Sequence, residues 1–425
     1  MSPLMWPSFM MPMKIDKQNL QRLLDTIDTF NSTPGNGTTR LPFTLEDMGA
    51  RSFVKQEMKA LGLRVEEDAI GNLFGIWTGS QPELPMVWVG SHIDTVEHGG
   101  KFDGVCGVVC GLEAVRALQS CGARPKRSIA VVVYTAEEPT GFERGCLGSR
   151  ALTHRLSLED CRELFDAQGN SLYDILGQRG YDRSRFSSIP DRTKQLYAAL
   201  ELHVEQSSTL ERLHCPVGIV KYICAPTNLK VTLRGRQAHA GGVSMDERQD
   251  AFMACAEIAL YLEQQARQTE SEYTTATIGE VEIYQGGSNI IPGKVTFSID
   301  IRDCDGVWKR KLLSRLLNQI QVIAARRRVH ASVKVENDDM PIACDGTLVA
   351  LLEASCQEEN IQGVPVISGA YHDSMFIGTV APVAMLFVPS QGGVSHCPQE
   401  WTDLEDIEKG CQVLAVALQK IADQV

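Results

Sequence analysis

The sequence predicts an α/β protein built on a largely parallel sheet and interrupted by an inserted β-α-β-β-α-β segment. Two observations carry this expectation. Four short apolar runs, Met86–Gly90, Ile129–Tyr134, Leu196–Leu202 and Val383–Val388, lack alternation, as strands covered on both faces do. Residues 216–339 instead alternate apolar and polar side chains in several short stretches, as half-buried strands of a separate layer do. Residues 1–215 and 340–425 are therefore expected to form one domain, and residues 216–339 a smaller inserted one.

Within the insert, Leu229–Arg234 alternates Leu229, Val231 and Leu233 with Lys230, Thr232 and Arg234. Asp250–Ala266 places Ala251, Cys255, Ile258 and Leu262 on one helical face. Thr277–Tyr284 and Val295–Arg302 read as strands, the latter turning Val295, Phe297, Ile299 and Ile301 inward. Trp308–Arg327 reads as an amphipathic helix and Ala331–Val335 as the last strand, completing the split βαβ order. Pro226–Asn228 and Gly286–Gly293 are expected at turns.

Composition narrows the function. The 425 residues, 43% hydrophobic and 22% charged, are ordinary for a globular protein with ample core. A net charge of −12 argues against a nucleic-acid surface. No apolar run reaches the roughly 20 residues of a membrane span, so no membrane partner is expected. Thirteen cysteines, an odd number without a Cys-x-x-Cys pair, read as reduced thiols of a cytoplasmic protein. Cys106 and Cys110, four apart on one helix, read as small core residues. Met1–Met13, rich in Met and Pro, reads as a disordered extension and not a signal peptide.

Chemistry gathers where the four apolar runs stop. His92, Glu137–Glu138, His203 and His396 each follow one of them, and open α/β sheets collect ligands beyond the carboxyl ends of their strands. Asp94, two residues after His92, can hold the second ring nitrogen and fix the tautomer. Asp103 precedes a helix over Val105–Leu118, where an ordinary N-cap is the simpler explanation. Adjacent acids Glu137 and Glu138 after an apolar strand are costly unless a cation or proton pairs with them. Side chains at adjacent positions diverge, so one acid can bind metal while the other acts as a base. Three imidazoles, two further carboxylates and one free Glu suit a hydrolytic two-metal site. The mixed N/O set fits Zn²⁺, Mn²⁺ or Co²⁺ alike. Glycines 104, 107 and 111 lack the spacing of a dinucleotide fingerprint.

These blocks resemble the M20-type metallohydrolases, specifically their hydantoinase/carbamoylase branch, over about residues 40–420. The matching stretches are GSHIDTV…GGKFDG, AEEPTGF…GCLGSR, ELHVEQ, HAGG, N.IPG…DIRD, GAYHDSMF and GGVSHCPQE. The resemblance implies an aminopeptidase-like catalytic domain with two divalent ions, Mn²⁺ or Zn²⁺, and a ferredoxin-like lid that also dimerises. It implies that Asp103 bridges the metals, one taking His92 and His203, the other Glu138 and His396. Glu137 is then the general base. His239 is implied to steady the oxyanion, often in the partner subunit's site, and Asn289 and Arg302 to bind the substrate carboxylate. Gln206 and His372 match positions near the substrate. From the residues alone, His239 is a loop histidine and Arg302 a salt-bridging strand residue; an Arg fork on a carboxylate is chemically apt.

The implied activity is cleavage of an N-carbamoyl (ureido) C–N bond in a small carboxylate, releasing ammonia and CO₂. Departures from the branch refine it. Glu137-Glu138-Pro139-Thr140-Gly141-Phe142, Val243-Ser244-Met245, Ser207 after Gln206, and Gly369-Ala370-Tyr371-His372-Asp373 remove no ligand. Glu-Glu-Pro-Thr, Ala225–Thr227 and Ala-Tyr-His-Asp-Ser look most like ureidoglycolate amidohydrolases, and Tyr371 in place of Gly would shrink a pocket. Allantoate, N-carbamoyl-L-amino acids and β-ureidopropionate are the alternative substrates. A dipeptidase on the same scaffold is the nearest rival, and a non-catalytic descendant is disfavoured because the base and all five ligand positions remain.

Overall fold

The computed structural model describes residues 13–142 and 144–424. The reading of Met1–Met13 therefore lies, apart from Met13, outside the described residues. The chain divides into two compact units: residues 13–221, 344–366 and 372–424 in the larger, residues 222–343 and 367–371 in the smaller.

The larger unit is organised by a sheet whose order runs Arg64–Glu67, Leu73–Trp77, Ile129–Tyr134, Met86–His92, Leu196–Val204, Val383–Val388, Val217–Ile223. Its middle four strands are mutually parallel. All six residues of Ile129–Tyr134 and of Val383–Val388 are buried, so neither strand has a wet face and neither alternates. Helices Val105–Ser120 and Leu404–Ala422 pack on this sheet and on each other, with Lys17–Asp28 against both. Gly107 makes the close approach possible, since a Cβ there would lie 2.3 Å from the Leu202 carbonyl. The parallel strands end together, which puts His92 and His203 at neighbouring strand ends.

The smaller unit is a twisted antiparallel sheet backed by two helices. Ala225–Arg234 is its first long strand and is capped by neighbours Lys294–Asp303 and His330–Asp338. Of its five strands, numbered in chain order, the third, fourth, first and fifth lie side by side, and the second also pairs with the fourth. Helices Ala251–Arg267 and Gly306–Arg326, N-capped by Asp250 and Asp305, bury Ile258, Leu262, Leu312, Leu316 and Ile320 against Leu229, Val231, Val295, Phe297 and Ile299. That is one continuous apolar layer.

Three expectations are corrected here. Pro226–Asn228 is not a turn: it lies within the strand Ala225–Arg234 and pairs with Asp300–Arg302. Proline is tolerated there because it is the second residue of the strand and the ladder with His330–Asp338 already ends at Thr227, while the Pro226 carbonyl accepts from the buried Lys309 ammonium and from Asn337. The single strand expected over Thr277–Tyr284 is broken into Thr274–Thr277 and Val281–Ile283, both beside Lys294–Asp303. The break falls at Gly279, and the Ser298 hydroxyl takes the place of a ladder partner for the Glu280 amide. Finally, Val217–Ile223 begins on the larger sheet, pairing Gly218 and Ile219 with Phe387 and Leu386, so the insert starts later than residue 216. Cys106 and Cys110 are buried core thiols, and none of the thirteen cysteines forms a disulfide. Among the described residues, no helix is long and apolar enough to cross a membrane.

Candidate active site and metal centre

At the carboxyl end of the four parallel strands, the Asp103 carboxylate sits between two sets of donors. Its Oδ1 lies 3.5 Å from His92 Nε2 and 3.2 Å from His203 Nε2. Its Oδ2 lies 3.3 Å from His396 Nε2, and Glu138 Oε1 is 3.3 Å from the same nitrogen. His92, Asp103 and His203 thus form one group able to hold a metal ion, and Asp103, Glu138 and His396 a second. Glu137 belongs to neither group; its Oε2 is 3.7 Å from His92 Nε2.

Both buried histidines are oriented from behind. His92 Nδ1 meets the Asp94 carbonyl at 3.0 Å, and His203 Nδ1 meets the Val204 carbonyl at 2.9 Å. Each Nδ1 therefore donates a proton to a backbone carbonyl, which leaves Nε2 as the nitrogen that faces Asp103. The Asp94 carboxylate does something the sequence did not suggest. It stands 3.8 Å from the His92 ring and instead accepts the backbone N–H groups of Glu137 (3.3 Å) and Glu138 (3.0 Å). One residue thus sets the His92 tautomer with its carbonyl and holds the acidic pair with its side chain.

Asp103 is not an N-cap. Gly104 occupies that position with φ +63°, and a Cβ there would lie 2.4 Å from the His92 ring. Only glycine lets the loop pass so close. Ala136, Gln206 and His396 also adopt left-handed φ of 53°, 58° and 58°, a conformation costing roughly 1–2 kcal/mol per non-glycine residue. Such strain at three turns of one site is what a held constellation requires.

Electrostatics say what the cluster would attract. Burial pushes the Glu137 carboxyl well above the carboxylate range; His92 opposes this, while Glu138, Asp373 and Asp103 add to it. Burial and then Asp103 push Glu138 up to about 7, against the pull of His396 and His92. The hydrogen bond to Asp103 raises His396 to about 9, and Glu137 and Asp103 outweigh burial to raise His92. Protons are drawn into a buried acidic nest, the place a divalent cation would take on binding and releasing them. The residues fit such an ion in two further ways. The donors are imidazole and carboxylate, and the buried Gln206 Oε1 has no hydrogen-bond partner while its Nε2 donates to Asp103 at 2.7 Å.

His372 lies in the same cluster, its ring centroid 4.5 Å from that of His203. Burial and His203 keep it well below the usual imidazole range, hence neutral. On the smaller unit, His239 and Asn289 come together: His239 pairs with Ile290, and the Asn289 carbonyl accepts the Ala240 amide at 2.8 Å. Both are exposed. Arg302 stands on the open face of the Lys294–Asp303 strand, 3.0 Å from Asp300.

Sequence reasoning missed Glu400 and Ser395. Glu400 Oε1 accepts the amides of Phe102 and Asp103 at 3.0 and 3.1 Å, and its Oε2 accepts the Ser395 hydroxyl at 2.6 Å. Ser395 also reaches Asp103 Oδ2 at 3.0 Å. Glu400 so ties the Asp103 loop to the His396 loop. The signal was present as an acid four residues after His396, but many exposed loops carry one. Glu400→Ala is expected to lower metal affinity about 10–100-fold without unfolding the chain, as read by metal titration of the apoprotein.

The fold and this donor set define a metal-dependent hydrolase, and the chain belongs to the peptidase family M20/M25/M40, whose model matches residues 88–420. Among particular relatives, the ureidoglycolate hydrolase of Arabidopsis thaliana is 37% identical over 96% of this chain and 87% of its own length. An N-carbamoyl-L-amino acid amidohydrolase of Geobacillus stearothermophilus is 36% identical over 93% of this chain and 95% of its own. A crystal structure described as AtUAH in complex with glyoxylate is 37% identical, with a TM-score of 0.85 over 97% of this chain and 99% of that one.

Proposed function

We propose that this protein hydrolyses the ureido C–N bond of a small carboxylate, and that the substrate is ureidoglycolate, converted to glyoxylate with release of ammonia and CO₂. The reaction class is carried by one observation: a buried carboxylate, Glu137, stands outside both metal-binding groups into which Asp103 splits the donor set, yet beside them. The substrate rests on the Arabidopsis relative and on Tyr371 and the Glu-Glu-Pro-Thr block.

The two donor groups, His92, Asp103 and His203, and Asp103, Glu138 and His396, would each hold one divalent ion, Mn²⁺ or Zn²⁺. Such a pair would supply an attacking water of lowered pKa and polarise the ureido carbonyl. Glu137 takes the proton from that water and delivers it to the leaving nitrogen. Asp94 keeps Glu137 and Glu138 in place through their amides. In the smaller unit, which we read as a ferredoxin-like lid and dimerisation domain, Arg302 and Asn289 bind the substrate carboxylate and His239 steadies the oxyanion. Exposed Val281 and Ile283 on its edge strand support a homodimer. Thirteen cysteines without a disulfide among them suit a cytoplasmic location.

The test is ammonia release by metal-loaded protein on ureidoglycolate, allantoate, β-ureidopropionate and N-carbamoyl-L-amino acids. Ureidoglycolate is expected to show the highest kcat/KM. Faster turnover of bulky N-carbamoyl amino acids would transfer the assignment to the carbamoylase reading, and peptide cleavage without ammonia to a dipeptidase. Chelation is expected to abolish the activity and Mn²⁺ or Zn²⁺ to restore it.

A further inference from the structure

Arg302 is the cation proposed above to read the substrate carboxylate, and its surroundings leave little of it uncommitted. The guanidinium donates from Nε to Asp300 Oδ1 at 3.0 Å and from Nη2 to Asp300 Oδ2 at 3.3 Å. Its Nη1 donates to the Gly369 carbonyl at 3.2 Å. Five N–H groups are available on an Arg side chain. Three are used, which leaves one on each terminal nitrogen.

Asp300 is itself held. Asn228 Nδ2, on the neighbouring strand and directly opposite in register, donates to Asp300 Oδ2 at 3.0 Å. Asn228, Asp300 and Arg302 share one face of the sheet, because Asp300 and Arg302 are two apart and the helix-facing positions are Leu229, Ile299 and Ile301. The Gly369 carbonyl can approach only because residue 369 is glycine, since a Cβ there would meet the Tyr273 hydroxyl at 2.2 Å. The side chains of Arg302 and Asp300 are each 31% exposed, so the pair is reachable from solvent. An Arg held on two sides in this way is a fixed fork, not a mobile surface cation.

We infer that Asp300, backed by Asn228, is a positioning residue that locks Arg302 so that one N–H on each terminal nitrogen faces a substrate carboxylate, and that this lock sets the preference for a carboxylate over a neutral carboxamide. The inference rests on the reading of Arg302 given above. A two-oxygen planar anion satisfies both remaining donors together, whereas a carboxamide offers one oxygen and opposes a donor with a donor. Asp300 also cancels one unit of charge, so what is left is geometric selection more than bulk attraction for anions.

The experiment compares ureidoglycolate with its carboxamide, and N-carbamoylglycine with N-carbamoylglycinamide, on metal-loaded full-length protein. In Asp300→Asn, an isosteric change that abolishes the bidentate pair, the carboxylate-to-carboxamide ratio of kcat/KM is expected to fall about 10–100-fold. The loss falls on KM for the carboxylates, with kcat and the constants for the carboxamides nearly unchanged. Asn228→Ala moves the same ratio in the same direction by a smaller factor, and Asp300→Glu recovers part of it. Arg302→Met separates the two layers. If it removes the preference while Asp300→Asn keeps it, the lock is wrong and the Arg302 reading stands. If Arg302→Met keeps the preference, the Arg302 reading falls and the lock with it. A lower KM for carboxylates in Asp300→Asn would overturn the inference too, making Asp300 a competing anion.

Discussion

Glu137→Gln is expected to keep its full complement of metal and lose about 10²–10⁴-fold in rate. The substitution is isosteric, and Glu137 lies outside both metal-binding groups, so neither the fold nor the ion should notice it. What disappears is the acid proposed to shuttle the proton. The neighbouring Glu138→Gln supplies the contrast. Its Oε1 lies 3.3 Å from His396 Nε2 in the second donor group, so that variant should lose metal as well as rate. Elemental analysis of both proteins beside an ammonia-release assay distinguishes the two. A Glu137→Gln enzyme retaining more than a tenth of the wild-type rate would place the base elsewhere.

Asp47→Ala is expected to cost about 3–5 kcal/mol of stability, seen as a lowered urea midpoint. Asp47 and Arg51 face each other at 2.9 Å, one turn apart on helix Leu45–Ala60, with side chains 0% and 1% exposed. Burial raises the Asp47 carboxyl, and Arg51 opposes that. Removing the acid leaves a guanidinium buried without its counter-charge. Arg51 also donates to the Gly71 carbonyl at 2.6 Å and to Thr135 Oγ1 at 3.1 Å. Thr135 stands two residues before Glu137, so the damage should reach the site and depress activity before the protein unfolds. Replacing both partners, as Asp47→Leu with Arg51→Met, should return part of the stability, because neither charge of the pair is then stranded, although buried Arg40 still loses the favourable field of Asp47.

The four strand ends were legible because burial on both faces removes alternation, leaving an apolar run that stops where a ligand-type residue begins. The insert was legible because helix and strand periodicities there are undisturbed: Ile258 and Leu262, or Ile299 and Ile301, each repeat at the spacing their element demands. Its boundary was not, since Val217–Ile223 alternates too little to declare which sheet it joins, and only its pairing with Val383–Val388 decides. Pro226 argued for a turn, but it stands at the start of its strand, one residue outside the ladder with His330–Asp338, where no N–H is required. At the site, residue types were readable but roles among near neighbours were not. Whether Asp94 uses its carbonyl or its carboxylate depends on a loop conformation that spacing does not encode. Glu400 and Ser395 serve Asp103 across nearly the whole chain, a relation no local pattern carries.

The donors come from segments scattered from His92 to His396, and this has a consequence for biosynthesis. At about 5–20 residues per second, on the order of tens of seconds separate the appearance of the first donor from the last. Throughout that interval the growing chain carries His92, Asp103 and the Glu137–Glu138 pair with neither His396 nor Glu400 to complete them. A chain arrested before residue 396 holds only the first donor group, with the Asp103 loop untied. If each group holds an ion, loading of both would wait until synthesis is nearly finished, and metal content would report how much of a preparation is full-length and folded.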